Sequence, residues 1–156
     1  MDDLEMMYQE VILEESRNPY HKLYEIEDPN RSHQFNPTCG DDITVAVTID
    51  DDIVSGVNFA GEGCSISIAS TSIMAQLVEG KTTEQVFELA DLFTELMNSR
   101  GAGLDDDKLD KLGDASVFVG TSKFPARIKC ALLGWVALKG ALTNQGVSSA
   151  QNKHTE

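Results

Sequence analysis

The sequence predicts an α+β fold in which a small antiparallel sheet packs against helices. Residues 42–50, DITVAVTID, alternate apolar side chains with polar or small ones, which is the pattern of a strand with one buried face. Asp50 to Asp52 form a turn, and residues 53–63, IVSGVNFAGEG, follow as a second strand, so the two pair as a hairpin. Segments with apolar residues at helical spacing flank this hairpin. Consecutive strands followed by a run of helices are typical of the α+β class.

The segments before and directly after the hairpin each predict a helix. The first helix ends at residues 18–20, NPY, because proline cannot continue a helix. The chain is then polar and irregular, with a turn at Pro29 and Asn30 and a short strand near Phe35. The next helix starts at Ser65 and is closed by Gly80. The apolar stripe of the first helix consists of Leu4, Met7, Tyr8, Val11 and Ile12.

Two further helices with a polar segment between them follow. One starts within KTTEQ, where Thr83 is expected to be the N-cap, and its stripe extends from Val86 to Met97. Residues 101–114, GAGLDDDKLDKLGD, predict an exposed or flexible stretch with one short helical turn. Pro125 suits the first turn of the last helix. The stripe of that helix consists of Ile128, Leu132, Trp135, Val136 and Leu142.

The length of 156 residues without an internal repeat predicts one domain, residues 1–143. Residues 144–156, NQGVSSAQNKHTE, have almost nothing to bury and are expected to form a disordered tail. The acidic N-terminus lacks the features of a signal peptide, and every apolar run is far shorter than a membrane span. We therefore expect a cytoplasmic protein that does not bind membranes.

The chain is strongly acidic. Its 12 basic and 26 acidic side chains give a net charge of −14, which repels phosphate backbones, so nucleic-acid binding is not expected. The same field favours a partner with a basic patch, although acidity alone is also a common aid to solubility.

Three cysteines lie at the boundaries of predicted elements. An odd number of cysteines in a reducing compartment argues against a disulfide framework. Cys39 enters one strand of the hairpin and Cys64 leaves the other, which places both at the same end. Cys64 and Cys130 each lie near the start of a helix, where the helix dipole favours a thiolate. Gly40, at positive φ, would let Cys39 and Asp41 converge on one point.

These residues make a zinc site one of two interpretations. Three thiolates and one carboxylate, from Cys39, Asp41, Cys64 and Cys130, satisfy the tetrahedral preference of zinc. The other interpretation, of similar weight on spacing alone, is that the cysteines are small buried hydrophobic residues and Cys39-Gly40-Asp41 is an ordinary turn. The histidines, His21, His33 and His154, are expected at the surface or in the tail and not at this site.

Three motifs, in this order, resemble the U-type iron–sulfur cluster assembly proteins, the IscU/NifU family, and most closely its SufU branch. They are NPTCGDDI, GEGCSIS and SKFPARIKCALLGW. The resemblance covers about residues 7–142 and implies an α+β, SufE/NifU-like fold with a small antiparallel sheet of about three strands. It implies that Cys39, Asp41, Cys64 and Cys130 are the metal ligands and that Asp42 is not. Lys129, where scaffold proteins have a histidine, and the 65 residues between Cys64 and Cys130 both favour the SufU branch.

The resemblance implies a zinc-dependent sulfurtransferase of the SUF system. A pyridoxal-phosphate cysteine desulfurase of the SufS type would pass persulfide sulfur to Cys39, a histidine of the desulfurase would replace Cys39 on the metal, and Arg127 would act in this encounter. The sulfur would then go to the downstream SUF assembly machinery. Whether the chain counts as an enzyme stays open, because it acts together with the desulfurase. Two alternatives also stay open: a scaffold that assembles and delivers a transient [2Fe–2S] cluster, and a purely structural zinc domain.

Overall fold

A computed structural model describes residues 2–147 of the chain. Within this range an α-helix precedes a four-stranded sheet, and four more α-helices follow it. A segment of 3-10 helix, Gly113–Lys123, separates the last two helices. The elements are α1 (Asp3–Arg17), β1 (Lys22–Leu23), β2 (Ser32–Asn36), β3 (Asp41–Asp50), β4 (Ile53–Glu62), α2 (Ser65–Val78), α3 (Thr83–Asn98), α4 (Asp106–Leu112) and α5 (Pro125–Asn144).

The sheet has the strand order β1-β4-β3-β2. Its three long strands are antiparallel, as predicted, and the β3–β4 hairpin turns at Asp51 and Asp52, which both have positive φ. Such a turn matches the right-handed twist of the paired strands. The fourth strand, β1, adds a two-residue parallel pairing to β4. A segment of two residues is too short to show an alternation, so the sequence pattern did not predict it.

The core lies between one face of the sheet and the helices. Side chains of β3 and β4 that point to this face, including Ile43, Val45 and Phe59, are fully buried, and the alternate residues lie on the outer face. Helices α2 and α5 pack together at small residues. A Cβ added at Gly134 of α5 would collide with the side chain of Thr71 of α2, so this glycine permits the close approach of the two helices. Both helices start at the same end of the sheet as the β2–β3 loop.

The structure corrects two predictions in the second half of the chain. The N-cap of α3 is Thr82 and not Thr83: Thr82 accepts a hydrogen bond from the backbone N–H of Gln85, whose side chain accepts one from Thr82 N in return. Thr83 is buried and donates to Asp52 at 2.6 Å. The stretch predicted to hold one helical turn contains the whole of α4, and the 3-10 segment after it was not predicted.

Helix α1 is only partly buried by the rest of the fold. Of its predicted apolar stripe, Ile12 is buried, whereas Leu4, Met7 and Val11 are exposed. In α5, likewise, Val136 is exposed. At the other end of the chain Asn144 closes α5, and residues 148–156 of the predicted tail lie outside the described residues. No helix within residues 2–147 is both long and apolar enough to span a membrane.

Candidate metal centre

Four separate segments bring the predicted ligands to one end of the sheet. Cys39 lies in the loop between β2 and β3, and Asp41 is the first residue of β3. Cys64 is the N-cap of α2, directly after β4. Cys130 is the sixth residue of α5. The antiparallel pairing of β3 with β4 juxtaposes Asp41 and Cys64 at the end of the hairpin that was predicted to hold Cys39 and Cys64.

The β2–β3 loop curls Cys39 back over the sheet. Gly40 has φ of +71°, a conformation that favours glycine, which agrees with the prediction for this position. The backbone N–H of Gly40 donates to the carbonyl oxygen of Asn36 at 2.8 Å, and Thr38 N–H donates to Asn36 Oδ1 at 3.1 Å. Asn36, at the end of β2, thus accepts hydrogen bonds from the residues on both sides of Cys39.

The potential ligand atoms lie close together. The Sγ atoms of Cys39 and Cys130 are 3.2 Å apart. Together with a carboxylate oxygen of Asp41 they form a group whose atoms are all within 4.8 Å of one another. Cys64 is anchored to the same carboxylate: its backbone N–H donates to Asp41 Oδ1 at 2.8 Å, and its Sγ lies 3.8 Å from Oδ2.

Access to these four side chains differs. Asp41 is fully buried, Cys130 is 3% exposed and Cys64 is half-buried, whereas Cys39 is exposed. A reactant that approaches from solvent therefore reaches the Cys39 thiol first.

The prediction that Cys130 ionises readily is wrong for the metal-free chain. Burial raises the pKa of the Cys130 thiol far above its ordinary value, and hydrogen bonds with Cys39 and Asp41 add to this effect. The helix dipole does not offset this rise in pKa, because it acts on the first turn of a helix and Cys130 lies in the second turn of α5. Its Sγ lies 3.6 Å from the carbonyl oxygen of Ala126, a hydrogen bond that also favours the thiol.

The donor set fits zinc. Two Zn–S bonds of about 2.3 Å at a tetrahedral angle place their sulfur atoms about 3.8 Å apart. The 3.2 Å between the thiols of Cys39 and Cys130 is within a small adjustment of that spacing. A buried carboxylate beside three thiols is also a costly arrangement of acidic groups unless a cation or protons neutralise it. Zinc would be held by Cys39, Asp41 and Cys130, the three residues with the spacing of metal ligands. Cys64, the fourth predicted ligand, is not part of this group, and its Sγ lies 3.8 Å from Asp41 Oδ2.

Three charged residues near the predicted ligands are exposed. Asp42 points to the outer face of the sheet, where its Oδ1 lies 2.7 Å from Nε2 of the exposed His33. Arg127 lies one turn before Cys130, is exposed, and places its guanidinium 4.6 Å from the centre of the Phe124 ring. Lys129 is exposed as well. Among the described residues, neither cation makes a salt bridge.

Sequence reasoning missed three features of the site. A Cβ at Gly63 would collide with Ser67 and lie 2.8 Å from Asp41 Oδ1, so Gly63 makes room for the buried carboxylate. The side chain of Asn36 supports the Cys39 loop. A cleft of about 710 Å³ between α1 and the 3-10 segment extends to Ser65 and Arg127, beside the site. The motif GEGC signals tight packing at Gly63, whereas nothing local in the sequence signals the cleft.

Comparison with known proteins decides the family. A family model described as the NifU-like N terminal domain matches residues 7–131. The chain belongs to this family. The NifU-like chain is 42% identical over 145 residues to the zinc-dependent sulfurtransferase SufU of Bacillus subtilis strain 168, an alignment that covers 92% of the chain and 95% of the relative.

Two further relatives are described as scaffold proteins. The chain is 37% identical over 161 residues to the iron–sulfur cluster assembly scaffold protein IscU of Streptococcus pyogenes serotype M1, with 97% of the chain and 98% of the relative covered. A crystal structure of a proposed iron–sulfur cluster assembly scaffold protein for the SUF system, from Fervidobacterium islandicum AW-1, superposes with a TM-score of 0.69. The two sequences are 31% identical, and the superposition covers 86% of this chain and 95% of the Fervidobacterium chain.

Proposed function

We propose that the chain is an iron–sulfur cluster assembly protein of the SUF type that accepts persulfide sulfur on Cys39. The observation that carries this proposal is the contrast within the site: one exposed thiol stands beside a carboxylate and two thiols that are less accessible. Its resemblance to a zinc-dependent sulfurtransferase over nearly its whole length supports the same function. The sulfur donor is a SufS-type cysteine desulfurase, and the later acceptor belongs to the SUF assembly machinery.

Cys39 is the nucleophile in the transfer step. Its thiolate attacks the outer sulfur of a persulfide on the desulfurase. A new S–S bond forms on Cys39, the S–S bond of the donor breaks, and the donor cysteine leaves as a thiolate. The step needs no oxidant or reductant, because one S–S bond replaces another. Zinc, when bound by the four ligands, keeps their sulfur atoms deprotonated.

Arg127 serves the encounter with the desulfurase in this proposal. It is exposed on the first turns of α5, close to Cys130 in the chain, and Phe124 fixes its guanidinium through a cation–π contact. On a chain of net charge −14, a cation at the rim of the site offers an approaching carboxylate or persulfide anion a local attraction.

Desulfurase turnover tests the proposal. Wild-type protein with tightly bound zinc is expected to stimulate a SufS-type desulfurase, and Cys39→Ala is expected to abolish this stimulation while it leaves the fold intact. Asp42→Ala is the matched control, because Asp42 lies beside the site but points to the outer face of the sheet. A Cys39→Ala protein that stimulates the desulfurase as well as the wild type contradicts the proposal.

A scaffold function is the second candidate, favoured by the names of the Streptococcus pyogenes and Fervidobacterium islandicum relatives. The same three thiols and carboxylate can hold a [2Fe–2S] cluster. A protein that does not stimulate the desulfurase but acquires a stable cluster and delivers it to an apo-ferredoxin is a scaffold. If the chain is a structural zinc domain, it neither stimulates the desulfurase nor delivers a cluster, and zinc contributes only to its stability.

A further inference from the structure

Asn36 has a buried side-chain amide whose nitrogen has no partner. The residue is 7% exposed, and among the described residues its Nδ2 is one of two buried side-chain polar atoms without a hydrogen bond. The other is Nε1 of Trp135, which stacks on Phe93 in the core. Nearly all buried polar groups in folded proteins are hydrogen-bonded, so an unpaired donor calls for a physical cause.

The orientation of the Asn36 amide is fixed by its oxygen. Oδ1 accepts a hydrogen bond from Thr38 N–H at 3.1 Å. Rotation of the amide by half a turn would place its NH₂ group against this N–H, donor against donor. Oδ1 therefore faces Thr38 N–H, and Nδ2 stays available for another acceptor.

The acceptors near Asn36 belong to the site. Asn36 and Asp41 are directly paired across the end of β2 and β3, and both side chains lie on the buried face. Side chains at such a pair have Cβ atoms about 5 Å apart. The Asp41 carboxylate is within 4.8 Å of the thiols of Cys39 and Cys130. The side chain of Asn36 is thus a direct neighbour of Asp41, a member of this group.

We propose that Asn36 is a positioning residue for sulfur transfer: its carbonyl oxygen holds the Cys39 loop, and its unpaired amide donates a hydrogen bond to the persulfide formed on Cys39. This inference rests on the proposed function of Cys39 as the sulfur acceptor. The outer sulfur of a persulfide carries negative charge, and hydrogen bonds to charged acceptors are stronger than those between neutral groups. An amide provides this stabilisation without a positive charge that would compete for the site with a metal cation.

Asn36→Asp separates the two roles of the side chain. Aspartate replaces asparagine well as the acceptor in a turn of this kind, so the loop is retained, but it offers no donor. The matched control is Asp28→Asn, the reciprocal exchange at a similar turn, where Asp28 Oδ1 accepts from Asn30 N–H at 2.8 Å on the surface. Asn36→Ser is the second variant, because serine can also accept from Thr38 N–H but is too short to reach the site.

The readout is the lifetime of the persulfide on Cys39, independent of any desulfurase. Each protein is loaded with inorganic polysulfide, and the decay of the species that is heavier by one sulfur atom is followed by intact-protein mass spectrometry. Thermal unfolding of the unloaded protein is measured in parallel. We expect unloaded Asn36→Ser to unfold near the wild-type temperature, and unloaded Asn36→Asp to unfold at a lower one, because its new carboxylate is paired with the buried Asp41. Both variants should lose the persulfide about tenfold faster, the effect of one charge-assisted hydrogen bond, and Asn36→Ser shows this effect without an added charge.

Two results would overturn the inference in distinguishable ways. If either variant folds and keeps the persulfide as long as wild type and Asp28→Asn do, Asn36 is only a turn residue. If wild-type Cys39 takes up no sulfur at all, the proposed function itself fails, and the role of Asn36 fails with it.

Discussion

At the scale of single residues, exposure separates the four members of the site more clearly than residue type does. Cys39 and Cys130 are chemically identical and 3.2 Å apart, yet one is exposed and the other is 3% exposed. Burial raises the pKa of the Cys130 thiol and so disfavours the thiolate, the form that acts as a nucleophile. This difference in exposure supports the proposal that Cys39 is the reacting residue.

Arg127 allows a direct test of the encounter. Arg127 is exposed and makes no salt bridge to Asp41. We therefore expect Arg127→Ala to leave zinc affinity and stability unchanged and to raise, several-fold, the KM of the desulfurase for this protein. The control is Lys108→Ala, which removes the same charge from α4, where Lys108 pairs with Glu95. Equal KM values for the two variants would show that Arg127 contributes only to net charge.

Gly63 is the residue whose replacement should distort the site most directly. A Cβ there would collide with Ser67 and press on Asp41 Oδ1, so we expect Gly63→Ala to lower the free energy of unfolding by about 1–3 kcal/mol and to weaken zinc binding. Urea unfolding and a chelator competition measure the two effects. Gly120→Ala is the control, because nothing lies within 4 Å of a Cβ at that position. Unchanged zinc binding in Gly63→Ala would show that the carboxylate does not need this space.

At the scale of elements, strand and helix periodicity predicted the long strands and helices α1, α2, α3 and α5, and it placed Cys39 and Cys64 at one end of the hairpin. Periodicity could not predict β1, which has two residues, or the 3-10 segment, whose apolar side chains follow no helical stripe. The support from Asn36 could not be predicted either, because it depends on an orientation that only the folded loop defines.

The start of α3 shows how one residue position changes a prediction. Thr82 and Thr83 are adjacent, and either can cap a helix, but only Thr82 has Gln85 three residues later. We expect Thr82→Ala to lower the free energy of unfolding by about 1 kcal/mol, because it removes the bond to Gln85 N–H. Urea unfolding of Thr82→Ala and Thr82→Ser provides the measurement. Serine should restore most of the loss, and equal losses in both variants would exclude capping as the cause.

At the scale of the whole molecule, the site joins segments that are far apart in sequence. The β2–β3 loop, the start of α2 and the second turn of α5 meet there, so a metal bound by all of them links the sheet to both central helices. The chain already carries a net charge of −14, which includes Asp41, and the site adds up to three more acidic groups, the cysteine thiols, at one end of the sheet. A bound cation therefore both joins these elements and relieves repulsion between them.

Metal removal should consequently lower global stability. A ligand that binds only the folded state stabilises it by about 4 kcal/mol when its free concentration is a thousand times its Kd. For a chain of this size each kcal/mol corresponds to roughly 2–4 °C in Tm, so we expect a chelator to lower the Tm of the zinc-loaded protein by roughly 8–16 °C. Calorimetry with and without chelator provides the measurement, and zinc added back should restore the Tm. Cys130→Ser, which replaces the buried predicted ligand of α5, is expected to show a much smaller response. A cation bound by residues of the loop, α2 and α5 is released when unfolding separates these segments, so its removal must lower the Tm. If the wild type binds one zinc per chain and the chelator still does not change its Tm, the metal does not link these elements.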